Sequence, residues 1–281
     1  MLRQRPSSVD ILILGAGWTS TFLIPKLDAH GITHAETTTD GRDGTIPFRF
    51  NPQSGDVEPY KQLPRARTVL ITFPLKGRGQ SKLISSLYRA AHGQENNWIQ
   101  LGSTGMFNKE TGWNTEESKY DHEDDRAIAE DELRDTVGGC VLNLSGLYGG
   151  SRQPKNWLNR VVRTKEDLKL KGAVHFIHGE DVAEAIIATH RNFTPAKRWI
   201  IADLRVYDWW DLIASLSSVP NKDESDEEKT KRLQYTKWVA ELMLEQGVRA
   251  LPRDIESLGR RLDSRGFWKA MGVQPLHPRL A

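Results

Sequence analysis

The first regular pattern along the chain is an apolar run at residues 9–14, which stops at Gly15-Ala16-Gly17. Beyond the glycines, apolar side chains recur at helical spacing from about Thr19 to Leu27. A continuous apolar run is typical of a strand buried on both faces of a parallel sheet. A helix that follows such a strand attracts anions to its N-terminus, because free N–H groups and the helix dipole point there. The pattern therefore predicts a strand–turn–helix unit with an anion site at its turn.

The glycine spacing makes this turn a candidate dinucleotide site. In the G-x-G-x-x-G fingerprint the first glycine takes a tight turn, and the second lets a diphosphate approach the backbone. Gly15 and Gly17 fill these positions, and Ser20, which is small enough for close helix–strand packing, fills the third. A buried turn without a ligand is the alternative. The predicted cofactor contacts in this stretch are Gly15, Gly17, Trp18, Thr19 and Ser20.

Strands and helical segments alternate over the first 150 residues. This alternation indicates right-handed βαβ units and an α/β fold with a Rossmann-type, doubly wound parallel sheet. The further strands are predicted at residues 32–39, 46–50, 68–73, 98–101 and 141–144, and the helices at 80–92 and 116–134.

Beyond about residue 151 the pattern changes to helical segments (156–168, 181–190 and 208–217) with short strands at 174–177 and 199–202. We interpret residues 1–150 as a Rossmann domain, to which a helix at 179–191 and a strand at 197–202 are candidates to return. Residues 151–281 would form a smaller, mostly helical C-terminal substrate lobe and tail. The charged run 221–232 reads as a solvated spacer or helix start. The tail from residue 235, including the spacing of Ile255, Leu258 and Leu262, is expected to fold over the lobe as helices.

Composition narrows the class of protein. The 281 residues are 38% hydrophobic and 27% charged, and the net charge of +2 favours neither a nucleic-acid nor a membrane partner. The single cysteine, Cys140, excludes an internal disulfide and fits a reducing compartment. No signal-peptide pattern and no apolar stretch near the ~20 residues of a membrane span are visible, so a cytoplasmic protein is expected. The amphipathic helices at 80–92 and 116–134 suggest a homodimer.

Ligands of doubly wound sheets bind beyond the carboxyl ends of the strands. The residues at these ends are small, hydroxyl-bearing or otherwise unusual, which is more than buried strand ends require. At the second and fourth strands they are further candidate cofactor contacts, namely Thr38, Thr39, Asp40, Arg42, Thr72, Phe73 and Pro74. At the fifth and sixth strands they are candidate substrate or catalytic residues, namely Ser103, Thr104 and Tyr148.

The order of GAGWTS, TTTDGR, TFPL, LGSTGMF, SGLYGG and HGEDVAEAI resembles the short-chain dehydrogenase/reductase superfamily, in its extended and atypical, epimerase/dehydratase-like branches. The resemblance covers residues 9 to about 205. It implies a Rossmann domain with a small C-terminal substrate lobe, and it matches Ser103 to the hydroxyl that hydrogen-bonds the substrate oxygen in those enzymes. The alternative for Ser103 is a local cap at the end of a strand.

The catalytic Tyr-x-x-x-Lys pair of that superfamily is absent from this chain. At the spacing where the pair is expected, one helical turn apart, the chain has Arg126 and Glu130. Arginine cannot act as a general acid near neutral pH. The two residues are therefore either a surface ion pair or a rebuilt site, in which Arg126 binds an oxyanion and Glu130 acts as a base. Tyr148 is the candidate substitute acid, with a packing role as the alternative.

The cofactor and substrate are predicted only in outline. An acidic residue after the second strand would bind a ribose 2′-hydroxyl, and an arginine there would bind a 2′-phosphate. Asp40 and Arg42 are both in reach, and NADP is favoured over NAD. Trp113, Trp157 and Thr104 are expected to contact an apolar or aromatic small-molecule substrate. His175 and His178 have no third metal-ligand type near them in sequence, so no metal is expected.

Three functions remain open at this point. The first is an NAD(P)-dependent reductase, epimerase or dehydratase with a rebuilt catalytic site. The second is a non-redox isomerase, cyclase or lyase that uses the same cleft. The third is a protein that senses a dinucleotide without catalysis. The missing Tyr-x-x-x-Lys pair favours the second and third functions, whereas Ser103 and the complete second lobe favour a working cleft.

Overall fold

The computed structural model describes residues 7–218, 220 and 224–280. The chain folds into a mixed α/β structure, and its strands are β1 (Ser8–Leu14), β2 (His34–Thr38), β3 (Ile46–Pro47), β4 (Arg65–Ile71), β5 (Asn97–Ser103), β6 (Gly112–Asn114), β7 (Cys140–Leu144), β8 (Gly146–Tyr148), β9 (Ala173–Val174), β10 (Phe176–His178), β11 (Arg198–Ile201), β12 (Tyr207–Asp208) and β13 (Arg260–Leu262). The α-helices are α1 (Ser20–Ala29), α2 (Glu58–Lys61), α3 (Gln80–His92), α4 (Asp125–Val137), α5 (Leu158–Val161), α6 (Lys165–Lys169), α7 (Gly179–Arg191), α8 (Trp209–Ser218), α9 (Asp226–Gln246) and α10 (Arg265–Met271).

Seven strands form one parallel sheet in the order β11-β7-β5-β4-β1-β2-β3. The chain reverses its direction of winding between β1 and β4, so the sheet is doubly wound. Strand β1 lies inside the sheet between β4 and β2, and its residues 11–14 are fully buried, as its apolar run predicts. The predicted Rossmann-type fold class is thereby confirmed.

Helices cover both faces of this sheet. Side chains of α1, α7 and α10 pack on one face, and those of α2, α3 and α4 pack on the other. Helices α3 and α4 also contact each other directly, since the Ser81 hydroxyl donates to the carbonyl of Ala129 at 2.6 Å. Strand β11 pairs with β7, so a segment well beyond residue 150 forms one edge of the sheet.

A second lobe is built from α5, α6, α8 and α9. Its separate core includes Leu158, Val162, Trp210, Val239 and Leu242. The single helix predicted at 156–168 is wrong: α5 ends at Val161, and α6 begins after Thr164, whose side chain and that of Asp167 form a capping box. Reciprocal caps of this kind start a new helix rather than continue an old one.

Two other predicted helices begin or end elsewhere. Helix α4 starts at Asp125 and not at 116, because the Asp124 carboxylate accepts hydrogen bonds from two N–H groups of its first turn. Residues 255–262 are not an amphipathic helix: they form a short 3-10 turn and strand β13, which pairs with β6. Helix α10 then packs on the sheet rather than on the second lobe.

Of the charged run 221–232, residues 221–223 lie outside the described residues. The remainder enters α9, whose first turn is fixed by a capping box between Ser225 and Glu228. Within the described part of the chain, we find no helix of the length and apolar character that a membrane crossing requires.

Candidate functional site

A cleft of about 1230 Å³ opens at the carboxyl ends of β1, β4, β5 and β7. The sheet side of this cleft is lined by the glycine turn after β1 and by residues that follow the other three strands. The opposite wall comes from the second lobe and from the β9–β10 segment, with Trp157, Phe176 and Trp209 as its aromatic members. The carboxyl ends of parallel strands are where such folds bind ligands.

The glycine turn leaves three consecutive N–H groups free. Gly15 has φ +96°, a conformation that suits glycine. Its N–H donates to the Thr37 hydroxyl at 2.9 Å, and the N–H of Ala16 donates to the Thr37 carbonyl at 2.7 Å. The N–H groups of Gly17, Trp18 and Thr19 have no acceptor among the described residues. They lie at the N-terminus of α1, where an anion would satisfy them.

Side chains around the turn hold its shape. The Thr72 hydroxyl donates to the carbonyls of Leu14, at 3.1 Å, and Gly15. The Trp18 indole N–H donates to the Gly149 carbonyl at 3.1 Å, and the Arg152 guanidinium lies 4.5 Å from the centre of its ring. Phe73 and Pro74 also line the cleft beside the turn.

Five of the predicted cofactor contacts do not line the cleft. Ser20 is buried beneath the turn, which fits a packing role. Thr38, Thr39, Asp40 and Arg42 lie at the carboxyl end of β2, outside the cleft lining.

The hydroxyl of Thr38 is engaged by neighbouring residues of its own turn. It lies 2.7 Å from the Thr45 hydroxyl, accepts from the N–H of Gly41 at 2.9 Å and contacts the Asp40 carboxylate at 3.0 Å. The bond from Thr38 lowers the pKa of the Asp40 carboxyl, which also contacts Arg42 at 3.3 Å. The turn therefore offers both a carboxylate and an arginine at the edge of the sheet.

Hydroxyl groups stand at the ends of β5 and β7. The Ser103 oxygen accepts from the N–H of Gly105 at 3.2 Å, so Ser103 caps a 3-10 turn and its hydroxyl proton remains free to donate into the cleft. Thr104 lines the cleft, but its hydroxyl donates to the Leu144 carbonyl at 3.4 Å. Ser145, only 7% exposed, has no partner for its hydroxyl among the described residues and lines the same cleft.

Arg126 and Glu130 are not a surface ion pair. Arg126 lines the cleft, whereas Glu130 is fully buried and does not. The Glu130 carboxylate accepts from Asn143 at 2.8 Å and from the buried Arg198, which also pairs with Asp131 at 2.8 Å. Burial raises the pKa of the Glu130 carboxyl, and the contacts with Arg198 and Asn143 oppose that rise. The Glu130 carboxylate joins α4 to β7 and β11 and lies outside the cleft lining, which does not support the expected role of Glu130 as a base.

Tyr148 also lies elsewhere than the sequence predicts. It does not line the cleft, and its hydroxyl donates to the carbonyls of His277 and Arg279, both at 3.2 Å. Burial raises the pKa of this hydroxyl. Tyr148 thus anchors the chain at residues 276–280, hereafter the C-terminal segment, and is not the substitute acid.

The two tryptophans predicted to contact substrate differ in position: one lines the cleft and the other does not. Trp157 lines the cleft and stacks on Phe176 with a centroid distance of 5.6 Å. Trp113 is 48% exposed on β6, outside the cleft lining, beneath the guanidinium of Arg261. The predicted substrate contact of Trp113 is therefore wrong.

His175 and Arg260 are cleft residues that the sequence did not indicate. The N–H of Leu262 donates to Nε2 of His175 at 3.0 Å, so the neutral ring carries its proton on Nδ1. Burial and the nearby Arg260 lower the pKa of His175 to about 3. Arg260 reaches the cleft only because β13 pairs with β6, which no local pattern predicts. For Ser145 a signal existed, since it ends an apolar strand.

His178 does acquire neighbours of metal-ligand type. Ligand atoms of His178, Glu180 and His277 all lie within 4.8 Å of one another. The third residue comes from the C-terminal segment, which the sequence gives no reason to place there. The rings of His178 and His277 are 3.8 Å apart, and Nδ1 of His178 accepts from the N–H of Glu180.

No protein-family model matches this chain, and no curated protein sequence matches it. Solved structures do match. A functionally unknown conserved protein from Silicibacter pomeroyi DSS has a TM-score of 0.62 and 17% identity, over 97% of this chain and 95% of that one. The human epimerase family protein SDR39U1 (isoform 2), solved with NADPH, has a TM-score of 0.57 and 14% identity, over 96% of each chain. The dTDP-glucose 4,6-dehydratase from Bacillus anthracis, in complex with NAD, has a TM-score of 0.57 and 12% identity, over 96% of this chain and 92% of that one.

The cleft and the sheet define a Rossmann-type α/β protein with an added lobe. More particularly, its fold is similar to those of solved structures described as epimerase and dehydratase proteins. At such low identity the likeness concerns the fold, and the fold expected from the sequence resemblance is confirmed.

Proposed function

We propose that this protein is an NAD(P)-dependent enzyme of the atypical short-chain dehydrogenase/reductase type, which acts on a small organic substrate. The observation that carries the proposal is the row of free N–H groups at residues 17–19, which lines the same cleft as the Ser103 hydroxyl. A diphosphate bound by these N–H groups would place the remainder of a dinucleotide across the carboxyl ends of the strands, which is where doubly wound folds bind dinucleotides.

The residues of the glycine turn fit a dinucleotide. A Cβ atom added to Gly17 would meet nothing within 4 Å, so the space over its backbone is open to a ligand. Arg152 stacks on Trp18 beside the turn and adds positive charge there. Asp40 suits a ribose hydroxyl and Arg42 a 2′-phosphate, and we keep NADP as the favoured cofactor. When bound, the nicotinamide ring would supply a two-electron redox centre.

The protein's own groups would then bind and polarise the substrate. Ser103 can donate its proton to a substrate oxygen, and Nδ1 of the neutral His175 is a second donor in the same cleft. The residues that line the cleft in the described part of the chain include no tyrosine, lysine, aspartate or glutamate. A substrate oxygen would therefore be held by fixed donors, as an oxyanion hole holds developing charge.

Among the described residues that line the cleft, none titrates near neutral pH. This favours a second candidate, a protein that binds a dinucleotide without turnover. His175 stays neutral because its pKa is lowered to about 3. General acid–base catalysis works best when the pKa of the group lies near the working pH. A screen for NADPH oxidation with carbonyl compounds separates the two candidates: turnover that Ser103→Ala removes supports the enzyme, and saturable binding without turnover supports the sensor.

The binding test compares two glycines by isothermal titration with NADPH and NADH. Gly17→Ala introduces a methyl group where the diphosphate is proposed to approach, and we expect at least a tenfold loss of affinity. Gly55→Ala is the matched control, because its Cβ would also meet nothing within 4 Å and its φ is not positive. Equal affinities of Gly17→Ala and the wild type, or no saturable binding by the wild type, would contradict the proposed site.

A further inference from the structure

The cleft has a one-sided charge. Four arginines line it, namely Arg126, Arg152, Arg160 and Arg260, and none of the lining residues that the structure describes is an aspartate or a glutamate. Arg152 lies beside the glycine turn, where a diphosphate would neutralise it. The charges of Arg126 and Arg260 need another explanation.

Arg126 is held beside β5 by a main-chain carbonyl only. Its Nη2 donates to the carbonyl of Leu101 at 3.3 Å, and its buried Nε has no partner among the described residues. No carboxylate of the described residues forms an ion pair with this guanidinium, although its charge acts on the buried Glu130 carboxyl and opposes the rise that burial causes in the pKa of that group. It lies in the first turn of α4, where the positive end of the helix dipole makes a cation less favourable still.

Arg260 is held in the same way, by main-chain carbonyls. Its guanidinium donates to the carbonyls of Phe107 and of Thr104, the latter at 2.5 Å. Burial lowers its pKa. The three carbonyls that hold Arg126 and Arg260 belong to residues 101–107, so both cations flank the segment that presents Ser103.

Three other arginines that are largely removed from water have acidic partners, whereas the partly buried Arg89 donates to the Asn96 side chain. Arg198 pairs with Glu130, Arg253 contacts Asp208 at 2.6 Å, and Arg261 contacts Glu256 at 2.8 Å. Arg126 and Arg260 are partly buried, and a cation that is even partly withdrawn from water without such a partner is unfavourable. Two such cations in one cleft are what an anionic ligand would stabilise.

The uncharged polar groups of the cleft agree with this charge. The buried Ser145 hydroxyl has no partner among the described residues, and Nδ1 of His175 carries a proton. Both can donate to the oxygens of an anion. The remaining wall is aromatic, from Trp157, Phe176 and Trp209.

We infer that the substrate of this cleft is an oxyanion on an apolar or aromatic body, whose carboxylate or phosphate is bound by Arg126 and Arg260. This inference rests on the proposed function, because it takes the glycine turn to be occupied by the dinucleotide. It gives Arg126 a role in substrate binding at the position where the sequence resemblance leads us to expect a catalytic tyrosine.

The test titrates the NADPH-loaded protein with benzoate, phenyl phosphate and benzamide, and repeats each titration without NADPH. Benzamide has the size and shape of benzoate but no charge. We expect one of the two anions to bind at least tenfold more tightly than benzamide, and Arg126→Gln and Arg260→Gln each to remove most of that preference. The anion that binds tighter identifies carboxylate or phosphate as the recognised group.

Arg163→Gln is the charge-matched control, since Arg163 is exposed in the second lobe and does not line the cleft. It should leave the preference unchanged. Should Arg260→Gln fail to fold, Arg126→Gln decides alone. Equal affinities for anion and amide, or no saturable binding of either anion, would overturn the inference. A preference that survives both substitutions, or displacement of the anion by NADPH, would overturn it as well. Failure of NADPH to bind at all would instead overturn the proposed function.

Discussion

Replacing Glu130 tests whether its carboxylate has a structural or a catalytic role. Glu130 is fully buried and contacts Arg198 and Asn143. Glu130→Ala leaves the buried Arg198 with Asp131 as its remaining carboxylate. Removal of one partner of a buried ion pair costs about 3–5 kcal/mol, and the contact with Asp131 puts our expectation near the lower end, about 3 kcal/mol.

A loss of this size is easily measured. At roughly 2–4 °C per kcal/mol, Tm should fall by roughly 6–12 °C. Urea unfolding followed by circular dichroism gives the free energy directly. Glu130→Gln keeps the shape and one acceptor oxygen for Asn143, so its loss should be smaller, about 1–2 kcal/mol. Asp135→Ala, at an exposed position of the same helix, is the control and should stay within about 0.5 kcal/mol of the wild type.

The same variants report on function. If Glu130 only joins α4 to β7 and β11, Glu130→Gln should retain the NADPH affinity of the wild type and most of its turnover. An unfolding free energy equal to that of the wild type, combined with lost turnover, would refute this reasoning and restore Glu130 as a base.

Three further outcomes are expected. Burial raises the pKa of Asp203 to about 7, so the stability that its protonated carboxyl contributes is complete below about pH 4 and is lost as the pH rises through 7, a difference of about 4 kcal/mol. Asp203→Asn should remove this part of the pH dependence when urea unfolding is compared at pH 5 and pH 8. An unchanged profile would contradict the assignment. Tyr148→Phe deletes the bonds to the carbonyls of the C-terminal segment and should cost about 1 kcal/mol with turnover retained, whereas a catalytic tyrosine would show the reverse. Trp113→Ala should leave the affinities for NADPH and benzoate within about twofold, because this side chain lies outside the cleft, and a larger change would place it back in the site.

Local pattern was sufficient for the parts of the fold that are local in sequence. The run at residues 9–14 and the glycines that follow predict β1 and its turn, and the periodicity at 80–92 predicts α3 with its observed bounds. The hydroxyl at the end of β5 was found in the same way, since strand ends are identifiable wherever an apolar run stops.

The errors share one physical cause, a partner that is distant in sequence. Glu130 looked like a surface or active-site carboxylate because Arg198 enters only when β11 joins the sheet. Tyr148 looked like an acid because the carbonyls that bind its hydroxyl belong to the C-terminal segment. No local pattern points to Arg260, since its place in the cleft depends on the pairing of β13 with β6.

The return of β11 to the sheet also bears on how the chain can be divided. A fragment ending at residue 150 would contain the glycine turn and six of the seven strands of the sheet, yet β7 would be left as an open edge of unpaired amides and carbonyls. In the same fragment the buried Glu130 carboxylate would lack its cationic partner, because Arg198 belongs to β11. Residues 1–150 therefore do not complete the sheet: the chain first leaves it to form α5 and α6, returns with α7 and β11, and only then builds α8 and α9 of the second lobe.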